Sequence, residues 1–145
     1  MRRLVTIGFV LGLVACLVAG ASVLYFYNFA PDRLKYPVRG IDVSHHQGKI
    51  DWPGVAVTGV SFAYIKASEG GDHVDTAFGP NWSGARSVGI TVGAYHFFTL
   101  CRPGAEQAAN FLRVLPLDQP MLPPVIDLEF GGNCKARPTA EALKP

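Results

Sequence analysis

The stretch PPVIDLEF (residues 123–130) predicts a β-strand that carries two acidic side chains. Its β-branched and aromatic residues favour a strand, and the prolines before them and the glycines after them mark its ends. Because side chains alternate along a strand, Asp127 and Glu129 should share one face while Ile126 and Leu128 point to the other. Two buried carboxylates cost free energy unless they have partners or a chemical role. The stretch therefore marks a candidate functional site.

Upstream of this strand, predicted strands and helices alternate. The predicted strands are 38–46, 60–70 and 90–99, and the predicted helices are 51–57, 78–89 and 102–115. Within the last helix, apolar residues recur at helical spacing at Ala108, Phe111, Leu112 and Leu115. Nearly unbroken apolar strands separated by helices are typical of a parallel sheet that is buried on both faces. The sequence therefore predicts an α/β fold.

Each predicted strand ends in side chains that are capable of chemistry. They are Asp42, Ser44, His45 and His46; Lys66, Ser68 and Glu69; Tyr95 and His96; and Asp127 and Glu129. The carboxyl ends of the strands form the active site in α/β barrels, so these groups are expected to share one site, with Glu69 in an exposed loop. A complete barrel takes about 200 residues or more. We therefore expect a TIM-like (β/α) barrel that breaks off after its fourth strand.

Residues 1–31 form an apolar segment that precedes this domain. No residue from Leu4 to Pro31 carries a formal charge. This uncharged run is longer than the roughly 20 apolar residues that are needed to span a bilayer. Three interpretations stay open: a signal-anchor helix, a signal peptide cleaved near Ala19–Ala21, and a lipoprotein signal ending at Cys16. All three place the rest of the chain in the cell envelope, anchored in the inner membrane and facing outward, or secreted. Residues 32–38 are then a linker, and 39–145 the partial barrel domain.

The charge balance and the spacing of histidines argue against nucleic acid and metal ions as ligands. Once Arg2 and Arg3 are set aside, 11 of the 13 basic residues remain against 11 acidic residues. This near-neutral balance predicts no nucleic-acid partner. His45 and His46 lack further ligands at metal-binding spacing, so we expect loop packing or sugar contact there and no metal site.

Four segments in order resemble the glycoside hydrolase family 25 lysozymes (Chalaropsis-type muramidases). They are GIDVSHHQGKIDW (40–52), FAYIKASEG (62–70), VGAYHFF (92–98) and PPVIDLEF (123–130). The resemblance covers the front of the family's barrel domain. It implies hydrolysis of the β-1,4 bond between N-acetylmuramic acid and N-acetylglucosamine in peptidoglycan, without metal or organic cofactor. The family's Asp-x-Glu falls on Asp127 and Glu129, and its first-strand aspartate falls on Asp42.

Glycoside hydrolysis needs a proton donor and a negative group beside the developing oxocarbenium ion. Two carboxyls placed two residues apart on a strand can raise one pKa and divide these tasks. We assign Glu129 as general acid, Asp127 to the substrate's 2-acetamido group and Asp42 to charge stabilisation. A substrate-assisted and an inverting route both stay open. Candidate sugar contacts are Tyr64, Lys66, Tyr95 and Phe97, with Tyr64 and Lys66 on the same face as Ser68.

Cys101 and Cys134 follow the third and fourth strands, so a disulfide between their loops is geometrically reasonable, and two free thiols are the alternative. The expected protein is a monomeric muramidase that acts in cell-wall catabolism or remodelling, with peptidoglycan as its partner and the membrane contacted through the N-terminal helix. The alternative is a non-catalytic glycan-binding remnant, or an inactive fragment of such an enzyme.

Overall fold

The computed structural model describes residues 2–27, 29, 31–129 and 134–135. Its elements follow one another as α1 (Arg2–Tyr27), β1 (Gly40–Val43), a 3-10 helix (His45–Gln47), α2 (Trp52–Ala56), β2 (Phe62–Glu69), β3 (His73–Val74), α3 (Phe78–Ser87), β4 (Thr91–Phe97), α4 (Gly104–Val114) and β5 (Val125–Asp127). The chain divides into two compact units, Met1–Pro37 and Val38–Pro145.

The first unit contains α1, a single long apolar helix. Its stretch Thr6–Tyr27, 22 residues, is long and apolar enough to cross a membrane, and a signal sequence has the same properties. The side chains described along this stretch are exposed. The helix therefore agrees with the predicted apolar segment and leaves the choice between anchor and signal open.

The second unit is built on one sheet with the order β1-β2-β4-β5, in which all neighbours are parallel. Helices α2, α3 and α4 connect these strands in turn, as βαβ units require. The short strand β3 pairs antiparallel with the end of β2. The parallel strands and their connecting helices confirm the predicted α/β class. Within the described residues the sheet is open, so this part of the chain does not form a closed barrel.

The core lies between the sheet and its helices. Its buried members include Ile65 and Val92 from the strands, and Trp82 and Phe111 from the helices. Helix α3 ends at Ser87, two residues before the predicted end at 89, and Gly89 has a φ of 80° that suits the turn after a helix. The backbone N–H groups of Gly89 and Ile90 donate there to the carbonyls of Arg86 and Ala85. Helices α3 and α4 therefore pack against the central strands β2 and β4 through this core.

Helix α4 buries a different stripe from the one predicted. Phe111 and Leu115 are buried as expected, but Ala108 is exposed and Leu112 is 56% exposed. Gln107 and Asn110 are buried beside Phe111 instead. The amide of Asn110 donates to the carbonyls of Gly70 and His73, at distances of 3.1 and 3.0 Å. Buried backbone carbonyls need hydrogen-bond donors. Asn110 is therefore buried to supply them to the β2–β3 turn, and this need overrides the apolar periodicity of the helix.

The last strand is shorter than predicted. It ends at Asp127, so Leu128 and Glu129 follow the strand, and Phe130 lies outside the described residues. The backbone N–H of Phe98 donates to the carbonyl of Asp127 at 2.9 Å, which continues the contact between β4 and β5 to that residue. Asp127 is thus held by the sheet, whereas Glu129 stands two residues beyond its paired part.

Candidate active site

A cleft of about 350 Å³ opens beside the carboxyl ends of the strands. It is lined by Asp42, Tyr64, Tyr95, Val125, Ile126, Asp127, Leu128 and Glu129. Five of the seven predicted catalytic or sugar-contacting residues are therefore brought together, and they come from β1, β2, β4 and the end of β5. This is the edge at which parallel α/β sheets place their ligands. The cleft is the candidate active site.

The three acidic residues of the cleft reach it from opposite edges of the sheet. Asp42 lies in β1 and is exposed, whereas Asp127 ends β5 and is partly buried. Glu129 is exposed. Three carboxylates around one cleft repel each other when all are ionised.

Asp127 shows this effect most directly. Burial raises its pKa above the ordinary value for aspartic acid, and the charges of Glu129 and Asp42 raise it further. Only the positive charge of Lys66 opposes them among the contributions to this pKa. Asp127 can therefore hold a proton to a higher pH than a solvated aspartate could, so the cleft offers acid–base chemistry.

Two tyrosines form the walls of the cleft. Tyr95 is 8% exposed, and burial, together with the charges of Asp42 and Asp127, raises the pKa of its phenol to about 12. Its hydroxyl therefore stays protonated at neutral pH and remains a hydrogen-bond donor. Tyr64 donates from its hydroxyl to the carbonyl of Pro123 at 3.1 Å, which fixes the ring across the approach to β5. Both rings offer apolar surface beside the carboxylates.

Lys66 and Phe97, the other predicted sugar contacts, do not line the cleft. Lys66 is 4% exposed, and its ammonium contacts Glu69 at 2.5 Å and lies 4.7 Å from the centroid of the Phe97 ring. Glu69 belongs to β2 and its side chain is 20% exposed, so the expected exposed loop position is wrong. The reason is that β2 extends to Glu69, where a buried lysine needs a counter-charge.

The face shared by Tyr64, Lys66 and Ser68 in a regular strand is also interrupted. The pairing of β2 with β4 shifts between Lys66 and Ser68, so Lys66 lies opposite Tyr95 and Ser68 opposite His96. An irregularity of this kind changes the alternation of side chains. The hydroxyl of Ser68 consequently contacts His96 at 2.8 Å and does not reach the cleft. This prediction fails because a single sequence carries no marker for the bulge.

A second buried acid, Asp75, was not identified from the sequence. Its carboxylate accepts hydrogen bonds from the backbone N–H and ring Nδ1 of His45, at 3.0 and 2.7 Å, and from the backbone N–H of Ala77 at 2.8 Å. Although burial raises the pKa of Asp75, these hydrogen bonds outweigh it and lower the pKa overall. The available signal was an aspartate just before a helix, a position that favours such local hydrogen bonds. Asp75 thus fixes the turn that follows Asp42.

Cys101 and Cys134 are joined by a disulfide, with 5.8 Å between their α-carbons. This agrees with the predicted pairing and links the loop after β4 to the segment after β5. Among the residues that the structure describes, no group of three or more His, Cys, Asp or Glu side chains is arranged to hold a metal ion. The side chains that face the cleft offer acid–base groups and aromatic surface.

Comparison with known proteins agrees with this geometry. The sequence model of "Glycosyl hydrolases family 25" matches residues 41–144. Lysozyme M1 of Streptomyces globisporus is 46% identical over 114 residues, which cover 72% of this chain and 38% of that protein. A family 25 glycosyl hydrolase from Bacillus anthracis superposes with a TM-score of 0.63 at 45% identity, covering 66% of this chain and 44% of that one.

A bacterial lysozyme from Streptomyces coelicolor superposes with a TM-score of 0.60 at 43% identity, covering 66% of this chain and 46% of that chain. This chain therefore spans less than half the length of each of these relatives. The family match nevertheless extends over most of the residues that follow the apolar helix, and it includes all three acidic residues of the cleft. The chain belongs to glycosyl hydrolase family 25.

Proposed function

We propose that this protein is a peptidoglycan hydrolase, an N-acetylmuramidase that cleaves the β-1,4 bond between N-acetylmuramic acid and N-acetylglucosamine. The observation that carries the proposal is the convergence of Asp42, Asp127 and Glu129 on one cleft at the carboxyl edge of a parallel sheet. Family membership supports the reaction class, and relatives named Lysozyme M1 and Autolytic lysozyme support the substrate.

In the proposed mechanism, Glu129 is the general acid. It is exposed at the cleft, where a bridging glycosidic oxygen has access to it. Asp127 is less exposed, is held by β5 and is assigned to the 2-acetamido group of the substrate. Asp42 faces the same space from β1 and stabilises the positive charge that develops on the sugar ring. Whether the acetamido group or water attacks the sugar depends on the carboxyl separation in the bound state.

The sugar contacts that we propose are Tyr64 and Tyr95. Both line the cleft, and their rings offer apolar faces against which sugar rings can pack. The protonated hydroxyl of Tyr95 also provides a donor near Asp42 and Asp127. Lys66 and Phe97 are not proposed as contacts, because the lysine is buried and neither residue lines the cleft.

The same proposal places the domain outside the cytoplasm. Helix α1 would serve as a signal-anchor or as a signal peptide, and the Cys101–Cys134 disulfide fits an oxidising compartment. We further propose that the four parallel strands are part of a TIM-like (β/α) barrel. The protein would then act in the cell envelope, on cell-wall catabolism or remodelling.

A non-catalytic glycan-binding module is the second candidate. It is favoured by one observation: Val125 and Ile126 on β5 are 38% and 54% exposed, and within the described residues β5 pairs only with β4. Within the described residues the cleft is therefore open on the β5 side, and an open cleft strengthens the interactions of its charged groups less than an enclosed one does.

Clearing of a peptidoglycan suspension by the full chain in detergent tests the two candidates. We expect Glu129→Gln to slow clearing by about 10²-fold or more, because the amide cannot donate the required proton. The matched control is Glu106→Gln, which removes an exposed carboxylate on α4 that pairs only loosely with Arg102, at 3.5 Å. Equal clearing by Glu129→Gln and the unaltered chain would refute catalysis by Glu129. Sedimentation with peptidoglycan without any clearing would establish the binding module instead.

A further inference from the structure

Lys66 is a buried cation on β2, the strand that also carries the cleft residue Tyr64. Its side chain is 5% exposed and contacts the carboxylate of Glu69, three residues later on the same strand. The ammonium also lies 4.7 Å from the centroid of the Phe97 ring. A buried ammonium keeps its charge only when such partners replace water, and the ion pair and the aromatic face both do so. The charge of Lys66 is therefore fixed in place.

The pairing of the strands brings this charge close to Asp127. Phe97 lies opposite Glu69 on one side and opposite Asp127 on the other. Phe97, whose ring contacts the Lys66 ammonium, therefore lies between Glu69 and Asp127 in the sheet. Among the described residues, the negative charges of Glu129 and Asp42 raise the pKa of Asp127 and the positive charge of Lys66 lowers it.

We propose that Lys66, held by Glu69 and Phe97, is a positioning residue that supplies the internal counter-charge for the acidic cleft. Without it, three carboxylates would face one another with no opposing charge among the groups that influence Asp127. Its role is to limit the rise in the pKa of Asp127 that burial and the two neighbouring carboxylates cause. The proposal deepens the proposed function, on which its catalytic meaning rests, but the electrostatic link between Lys66 and Asp127 can be measured without any turnover.

The test is a carbon-detected NMR titration of the Asp127 carboxyl in the full chain in detergent micelles. In Lys66→Met, we expect the midpoint to move to a pH about 1 higher, because an opposing charge is removed. In Glu69→Gln, the midpoint should also move higher, though by less, because the buried ammonium loses the ion pair that keeps its charge while one negative charge is lost with it. Lys66→Arg should stay close to the unaltered chain. Lys49→Met, the same change at an exposed lysine, is the matched control and should leave the midpoint unchanged.

A rise in Lys66→Met and a smaller rise in Glu69→Gln, with Lys66→Arg and Lys49→Met unchanged, would support a charge effect, because general loosening would also move the midpoint in Lys66→Arg. An unchanged midpoint in Lys66→Met, or an equal rise in Lys66→Arg, would overturn the proposal. If Lys66→Met does not fold, Glu69→Gln decides: a rise supports the proposal, and an unchanged or lower midpoint overturns it. With an active chain, the acid limb of the rate profile should follow the Asp127 midpoint. Absence of turnover in the unaltered chain would count against the proposed function, while the titration would still decide the role of Lys66.

Discussion

His96 is the centre of a buried hydrogen-bond network that joins β2, β4 and α4. The side-chain amide nitrogen of Gln107 donates to the carbonyls of Thr99 and Arg102, so its oxygen is the acceptor that faces the ring Nε2 of His96 at 3.2 Å. Nε2 therefore carries the proton, and Nδ1 accepts from the hydroxyl of Ser68 at 2.8 Å. The network is complete with a neutral ring, which is why a histidine that is 1% exposed can be accommodated.

The buried ring predicts a pH-dependent stability. Burial lowers the pKa of His96, whereas an unfolded histidine titrates near 6.5. Just below pH 6.5, His96 therefore binds a proton in the unfolded chain and stays neutral in the folded chain. The contribution of His96 to the free energy of unfolding is fully present above about pH 6.5 and falls at lower pH by up to about 1.4 kcal/mol per pH step, until the folded pKa is reached.

Urea unfolding at pH 7.5 and 5.5 checks this contribution. We expect His96→Gln to be less stable than the unaltered chain at pH 7.5 and to lose less stability between the two pH values, because it has no ring to protonate. An identical loss in both proteins would show that other groups cause the acid sensitivity.

At the scale of the elements, the residue pattern predicts those strands and helices that depend on local periodicity. The four parallel strands and three connecting helices follow from apolar runs, prolines and glycines in the printed sequence. The features that it did not reveal depend on distant contacts. The shift after Lys66 depends on pairing with β4, and the buried amides of α4 depend on carbonyls in the β2–β3 turn. Asp42, Asp127 and Glu129 were predicted from the chemistry at the strand ends together with the family resemblance, whereas the burial of Lys66 was not predicted.

Strand β4 contains a glycine whose lack of a side chain shapes the cleft. A Cβ built on Gly93 would overlap the ring of Tyr64 and approach the Cβ of Leu122 at 3.0 Å. Tyr64 therefore packs across β4 only because position 93 is glycine, and from there it reaches the carbonyl of Pro123.

We expect Gly93→Ala to lower the free energy of unfolding by about 1–3 kcal/mol, because overpacking displaces Tyr64 or the strand. The matched control is Gly104→Ala in α4, an exposed helical glycine whose added Cβ meets nothing within 4 Å. The control should be neutral or stabilising, since alanine favours a helix over glycine. Chemical denaturation of the three proteins provides the measurement, and equal effects of the two substitutions would contradict the packing argument.

At the scale of the whole molecule, the disulfide is the covalent restraint on the ends of β4 and β5. It closes a loop with a sequence separation of 33 residues. Cross-linking a loop of this length restricts the unfolded chain by about 3–4 kcal/mol in the chain-entropy account. For a domain whose sheet is open within the described residues, this restraint is a large share of the usual net stability.

Reduction should therefore lower the denaturant midpoint of the domain, by an amount equivalent to about 3–4 kcal/mol. The comparison is between oxidised and reduced protein, with Cys101→Ser as the variant that cannot form the bond. Cys16→Ser, which alters the exposed free cysteine of α1, is the control and should retain the response to reductant. A midpoint that does not respond to reductant would rule out this contribution.

The short strand β5 has a consequence for engineering. The two acids that we propose as catalytic stand at the last residue of a three-residue strand and two residues beyond it. Within the described residues this strand is paired on one side, with β4, so a more tightly packed distant core would leave the spacing of the two acids unaltered. Engineering for heat tolerance should therefore begin with a neighbour for the side of β5 that is unpaired in the described part of the chain, since that change reinforces the proposed acid pair directly.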